Sequence, residues 1–337
     1  MQGAKFKMVV NELPINEGII HSYSSIICSY SSFINVANYY NNNICEEVVF
    51  FKRNGLKIET NINTISSLKN IIISTKFNEI VIGFLNDYNI ENKPIIFDNY
   101  LETKEYIYEQ INRLNPIIIR VNSNLLNYGP TNLQNSNRNH TLVISGFNRE
   151  TQEIFFYDYF IPTYPSKVFY GSMNIDDFGK MAIKNDKYNI FYFDYLKVKE
   201  IFGVYEKSEF ISDLKNNIDT YINNFAIMEL IADTINNLLL KFSEEDILKN
   251  SRELVHHIMY RSIIPSRILL KNVCKKYEWT SFYNKFDTIV LEWYTISLLL
   301  IKYSFTPLKE NYNKISKRIF ALLEKEKCIV NSMRNLC

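Results

Sequence analysis

The amino-acid sequence predicts an α+β domain in residues 1–205, followed by an all-α domain in residues 206–337. In the first part a helical pattern comes early and runs of β-branched residues come later, which is the order of an α+β fold with antiparallel strands. From Glu206 onward the apolar residues recur with the helical period. With 337 residues, of which 47% are hydrophobic, the chain is long enough to bury two cores.

The first helix is predicted to begin at Cys28. Four apolar residues follow with the i, i+3, i+4, i+7 spacing of one buried helical face: Phe33, Val36, Ala37 and Tyr40. Cys28 therefore stands at the helix N-terminus, where the backbone N–H groups and the positive end of the helix dipole favour a thiolate. Because the thiolate is the nucleophilic form of cysteine, Cys28 is the candidate nucleophile.

Strands are predicted from apolar, β-branched runs at 80–84, 116–121, 141–146 and 153–158, and a helix is predicted at about 103–114. His140 stands at the head of the third run, and Asp158 ends the fourth. A short polar segment, 147–152, separates these two runs, so an antiparallel hairpin is expected.

A nucleophilic cysteine needs a base, and the chain has only four histidines. Cysteine at a helix start, histidine on one strand and aspartate at the end of the next is the chain order of a papain-type triad. Asp158 follows His140 by 158 − 140 = 18 positions, which suits neighbouring strands joined by a turn. Each residue alone is more often structural, and their joint order favours Cys28, His140 and Asp158 as a catalytic set.

Other reactive residues fit the pattern less well. Cys45 precedes Glu46 and Glu47, whose charges disfavour a thiolate, so a packing role is favoured. His256 and His257 are consecutive and point about 100° apart on a helix, which excludes the shared face of an HExxH metal site. The five cysteines show neither CxxC spacing nor a nearby histidine, so neither a zinc site nor a disulfide framework is expected.

Charge and hydropathy limit the other classes of function. The net charge is +2 with acidic and basic residues mixed along the chain, which gives no argument for nucleic acid. The apolar run 289–301 is interrupted by Glu292 and is shorter than the roughly 20 residues of a membrane-spanning helix, so a buried helix is predicted. The N-terminus has no apolar stretch of signal-peptide length, and a cytoplasmic protein is expected.

The second domain carries helix-start signals. Ser243 precedes three acidic residues and is predicted to cap a helix, and Thr306-Pro307 is predicted to open a long amphipathic helix. A helical bundle is therefore expected in residues 206–337.

Five segments together carry a resemblance to a known family: 28–32, 50–56, 118–122, 126–128 and 140–158. In order and spacing, over about residues 15–165, the chain resembles the butirosin-biosynthesis protein H type of cysteine-protease homologue. The resemblance implies a papain-like core that carries an acyl group from a carrier-protein thioester to an amine. It also implies an acyl or peptidyl carrier protein and a small-molecule amine as partners, with phosphopantetheine arriving on the carrier and no cofactor or metal of the enzyme's own.

The chain departs from that family at three positions. Ser22 stands where papain-like enzymes place an oxyanion-stabilising glutamine, so Ser22 and Tyr23 are the candidates for the second oxyanion donor beside the Cys28 N–H. Gly55 is what remains of an expected glycine-rich stretch, and Asn122 replaces an expected aspartate.

The resemblance therefore implies an ATP-independent, amide-forming acyltransferase of natural-product biosynthesis. A cysteine hydrolase, either a peptidase or a thioesterase, would use the same three residues with water as the acceptor. A non-catalytic binding protein that keeps the fold is the third alternative.

Overall fold

The computed structural model describes residues 10–13, 27–41, 44–126, 128, 139–161, 167–184, 187–201 and 207–335. The fold is mixed α+β, with an antiparallel sheet and a helical C-terminal region. The chain divides into two compact units, Met1–Cys45 with Val81–Gly203 and Glu46–Ile80 with Val204–Cys337.

The strands in the described residues are β1 (Val10–Glu12), β2 (Glu59–Thr60), β3 (Ile73–Ser74), β4 (Asn92–Phe97), β5 (Ile117–Asn122), β6 (Asn139–Asn148), β7 (Glu153–Ile161), β8 (Lys167–Asn174), β9 (Ile183–Lys184) and β10 (Lys187–Phe193). The helices are α1 (Cys28–Tyr40), α2 (Glu46–Lys52), α3 (Phe77–Asp87), α4 (Tyr100–Asn112), α5 (Ile175–Ala182), α6 (Tyr195–Lys199), α7 (Lys207–Asn223), α8 (Phe225–Asn236), α9 (Leu238–Lys241), α10 (Glu244–His256), α11 (Ile263–Lys276), α12 (Thr280–Ser304) and α13 (Lys309–Arg334).

The sheet of the first unit has the strand order β4-β10-β5-β6-β7-β8 in the part of the chain that the structure describes. All of these neighbours pair antiparallel, β1 pairs with the end of β6, and β9 pairs with β10. β6 and β7 form the predicted hairpin, and β5 confirms the strand predicted at 116–121. Most of their β-branched and aromatic residues are buried, as expected for central strands, whereas Phe155 and Tyr157 are half-buried.

Helix α1 begins at Cys28, as the periodicity predicts. Ile27, at the N-cap, is extended, and the first bond of the helix runs from the Ser31 N–H to the Ile27 carbonyl at 2.8 Å. Phe33 and Val36 are buried on the predicted face, and the helix packs against β6 and β7. Burial of this face therefore holds the helix start at a fixed place beside the hairpin.

The strand predicted at 80–84 is wrong, because these residues belong to helix α3. Ile80, Val81, Phe84 and Leu85 are buried, whereas Ile82 is 41% exposed. That burial has the helical period and not the alternation of a strand. A short apolar run is compatible with either element, and here the helix continues over eleven residues.

The segment Glu46–Ile80, which lies within the predicted first domain, belongs to the helical unit. Two buried asparagines of the helical unit form hydrogen bonds with the backbone of this segment. Asn217 on α7 accepts from the Leu56 N–H at 3.2 Å and donates to the Phe51 carbonyl at 2.5 Å. Asn224, between α7 and α8, accepts from the Ile58 N–H at 3.4 Å and donates to the Leu56 carbonyl. These bonds satisfy buried backbone groups at the end of α2 and in the segment that follows it.

The helical unit contains a buried charge network. Arg267 on α11 and Glu326 on α13 are both 0% exposed, and Arg267 Nη2 lies 2.9 Å from Glu326 Oε2. Trp293 Nε1 on α12 donates to Glu326 Oε1 at 2.6 Å, and the Tyr221 hydroxyl on α7 donates to Oε2. The Arg267 guanidinium also lies over the Tyr221 ring, 4.4 Å from its centroid. One carboxylate thus joins four helices.

Two helix starts were predicted in this unit. The Ser243 hydroxyl caps α10 by accepting from the Asp246 N–H at 3.1 Å, as predicted. Helix α13 begins at Lys309, two residues beyond the position that Thr306-Pro307 indicated. Within the described ranges, each helix is either too short or too polar to cross a bilayer.

Replacing Glu326 with alanine should lower the free energy of unfolding by about 3–5 kcal/mol, because Arg267 would stay buried without its partner. Urea unfolding measures this change. The matched control is Glu324→Ala on the same helix, since Glu324 is 71% exposed and pairs only at the surface with Lys327. Equal stabilities of the two variants would contradict a structural role for the network.

Candidate active site

Cys28 is the first residue of α1 and is half-buried. The first turn of α1 carries no acidic residue, so no carboxylate on that turn opposes the positive end of the helix. The backbone bonds of the helix begin with the Ser31 N–H, and the Cys28 N–H therefore lies outside the helical ladder. A thiolate at this position is favoured by the local electrostatics.

His140 lies on β6, between β5 and β7, and is 3% exposed. Val121 of β5 is its cross-strand partner. On the other side Val143 pairs with Tyr157, and continuing that register puts Asp158 opposite Leu142, two residues from His140 on the same face. The hairpin register therefore makes His140 and Asp158 diagonal neighbours.

The imidazole of His140 is hydrogen-bonded to the carboxylate of Asp158. The Nε2 atom lies 2.8 Å from Oδ2, and Asp158 is 0% exposed. This contact makes Nε2 the protonated nitrogen, since an ionised carboxylate can only accept. Nδ1 is then the nitrogen that can serve Cys28.

Asp158 accepts two further hydrogen bonds. Its Oδ1 accepts from the Phe160 N–H at 3.0 Å, a local bond formed where the β7–β8 register shifts between Asp158 and Ile161. Its Oδ2 also accepts from the Tyr128 hydroxyl at 3.1 Å. These three donors satisfy a carboxylate that burial would otherwise destabilise.

The side chain of Cys28 is hydrogen-bonded to His140. Burial of the imidazole lowers its pKa. The negative charges of Asp158 and Cys28 and the hydrogen bonds to both residues raise the pKa by more than burial lowers it. The pKa of His140 is therefore raised well above the ordinary value of 6.5, and the imidazolium form is favoured. The structure thus brings Cys28, His140 and Asp158 together as one hydrogen-bonded chain.

The structure describes only some of the other residues that the sequence singles out. Ser22 and Tyr23, the candidate oxyanion donors, are outside the described residues. Cys45 is half-buried directly before α2. His257 belongs to the helical unit, where its Nδ1 lies 3.0 Å from the Ile73 carbonyl oxygen. Across the described ranges, no group of three or more His, Cys, Asp and Glu side chains is arranged to hold a metal ion.

Tyr128 was not predicted as a site residue. Its ring stacks on Phe169 of β8, with centroids 3.9 Å apart and planes 4° from parallel, and lies 6.0 Å from the Phe156 centroid. Burial, followed by the charge of Asp158, raises the pKa of the Tyr128 hydroxyl, which keeps it a protonated donor. Its presence in the segment 126–128 of the family resemblance was the signal that could have found it.

Gly171 on β8 leaves space for the Phe169 ring. A Cβ atom at position 171 would lie 2.6 Å from Cε1 of Phe169, closer than real contacts allow. Only glycine leaves room for this ring beside the strand. The stack of Phe169 and Tyr128 therefore depends on a residue without a side chain.

Comparison of the sequence with protein-family models gave no match, and comparison with curated proteins gave no significant match.

Replacing Asp158 with asparagine should lower the pKa of His140, because the attraction of the carboxylate is lost while burial of the imidazole remains. An NMR titration of the imidazole signals measures this. His257, in the other unit, is the internal control and should titrate equally in both proteins. An unchanged His140 titration would show that Asp158 is not the source of the raised pKa.

Proposed function

We propose that the protein is a cysteine-dependent acyltransferase with a papain-like core, which forms an amide by moving an acyl group from a carrier-protein phosphopantetheine thioester to an amine. The observation that carries the proposal is the hydrogen-bonded chain Cys28–His140–Asp158 at the start of a helix. The packing of α1 against the β6–β7 hairpin supports the papain-like core. The thioester donor and the amine acceptor are supported by the sequence resemblance.

In the first half-reaction the Cys28 thiolate attacks the thioester carbonyl, and a carbon–sulfur bond forms. The Cys28 N–H stabilises the resulting oxyanion, and Ser22 or Tyr23 supplies the second donor. The intermediate collapses with cleavage of the bond to the phosphopantetheine sulfur, which takes the proton of the His140 imidazolium. The products are a carrier thiol, an acyl-enzyme on Cys28 and a neutral His140.

In the second half-reaction the amine attacks the acyl-enzyme. Neutral His140 accepts the proton that the amine nitrogen loses, while Asp158 holds the imidazole in one tautomer and stabilises its positive charge. Collapse releases the amide and restores the Cys28 thiolate beside the imidazolium. Aminolysis of a thioester is downhill, so neither half-reaction requires ATP.

Replacing Cys28 with alanine should abolish acyl-enzyme formation, because the nucleophile is lost. Intact-protein mass spectrometry after incubation with acyl-loaded carrier proteins measures the acyl adduct. Cys45→Ala is the matched control and should keep the adduct, since Cys45 lies outside the hydrogen-bonded chain described above. An adduct on Cys45, or its persistence in Cys28→Ala, would contradict the assignment of the nucleophile.

The same assay separates the alternatives. Amide formation in the presence of an amine supports the transferase, whereas release of free acid at an equal rate with and without amine would indicate a cysteine hydrolase. If wild-type protein binds the carrier and never forms an adduct, the chain is a binding protein that has kept the fold.

Asp158→Asn should reduce turnover on the order of 10⁴-fold, as removal of the orienting carboxylate does in catalytic triads, because the wrong tautomer of His140 then faces Cys28. Single-turnover rates of adduct formation measure this loss, and circular dichroism verifies the fold. Wild-type turnover in a folded variant would mean that another group orients the imidazole.

A further inference from the structure

Two donors share one oxygen of the Asp158 carboxylate. The Tyr128 hydroxyl donates to Oδ2 at 3.1 Å, and His140 Nε2 lies 2.8 Å from the same atom. Oδ1 is taken by the Phe160 N–H. The tyrosine therefore competes with the histidine for the negative charge of Oδ2, because each hydrogen bond to a carboxylate oxygen reduces its capacity to stabilise another cation.

The position of the Tyr128 ring is fixed by the same strands that fix Asp158. Phe169, on which the ring stacks, is the cross-strand partner of Asp158 on β8. The buried Asp158 carboxylate is thus flanked on that side by aromatic rings. The stack holds the Tyr128 hydroxyl within hydrogen-bond distance of the carboxylate.

We propose that Tyr128 is a positioning residue that sets the pH at which His140 can accept the proton of the amine. The inference rests on the proposed function, since it concerns the base of that reaction. Because the Tyr128 hydroxyl also donates a hydrogen bond to Oδ2, the Asp158 carboxylate stabilises the His140 imidazolium less strongly. His140 then releases its proton at a lower pH than it would beside an unshared carboxylate.

The other groups around Asp158 leave this role to Tyr128. His140 comes from β6 and Cys28 from α1, and both belong to the reacting chain. β8 presents the apolar Phe169, and β7 itself contributes the Phe160 N–H. Helix α5 also packs against β7, and its charged residues are solvent-exposed, where their effect is screened: Asp176, Asp177 and Lys180.

The test is Tyr128→Phe, which removes the hydroxyl and keeps the ring that stacks on Phe169. The rate of amide formation from the acyl-enzyme should rise with pH as His140 loses its proton. In Tyr128→Phe this rise should occur at a higher pH than in the wild type. For a shift of about one pKa unit the rate falls about tenfold below the midpoint and equals that of the wild type above it. Tyr106→Phe, which removes a phenol hydroxyl on α4 of the same unit, is the control and should leave the profile unchanged.

An NMR titration of His140 in the resting enzyme provides an independent readout. It should show a higher pKa in Tyr128→Phe than in the wild type, whether or not acyl transfer is observed. A raised pKa without any acyl transfer would refute the proposed function and keep the role of Tyr128. An equal loss of rate at every pH, an unchanged His140 titration, or an unfolded Tyr128→Phe protein would overturn the inference, because each assigns the hydroxyl to structure alone.

Discussion

Burial of the Asp158 carboxylate is the constraint on which the candidate site depends. A carboxylate with 0% exposure is stable only where donors surround it, and its donors come from the hairpin strand β6, from the backbone of β7 and from Tyr128. Meeting that need brings separate parts of the chain to one point. The Nε2 atom of His140 is thereby hydrogen-bonded to Asp158, which leaves Nδ1 for Cys28 at the start of α1.

The sequence was sufficient for the parts of this site that follow from local periodicity. The helix at Cys28 and the β6–β7 hairpin have clear periods of 3.6 and 2, and an 18-residue spacing then brings His140 and Asp158 onto one face. The helix over 80–84 was missed because a short apolar run has no unique period. The bonds from Asn217 and Tyr128 cross long stretches of chain, and polar residues in such contacts leave no periodic signal.

The two units stabilise a buried carboxylate in different ways. Glu326 faces a guanidinium, that of Arg267, and because arginine is in general a permanent cation in proteins this network is suited to holding helices together. Asp158 faces an imidazole, which can lose and regain its proton. The same electrostatic solution is thus structural with a permanent cation and suited to chemistry with a titratable one.

Gly171 shows how a strand position outside the hydrogen-bonded chain of Cys28, His140 and Asp158 can act on it. A methyl group at this position would meet the Phe169 ring, and a displaced ring would change its stack with Tyr128. If Tyr128 acts on Asp158 as proposed, a side chain at position 171 should change the proton affinity of His140. Substitutions here would appear in a mutational scan as altered pH tolerance in an otherwise well-folded protein.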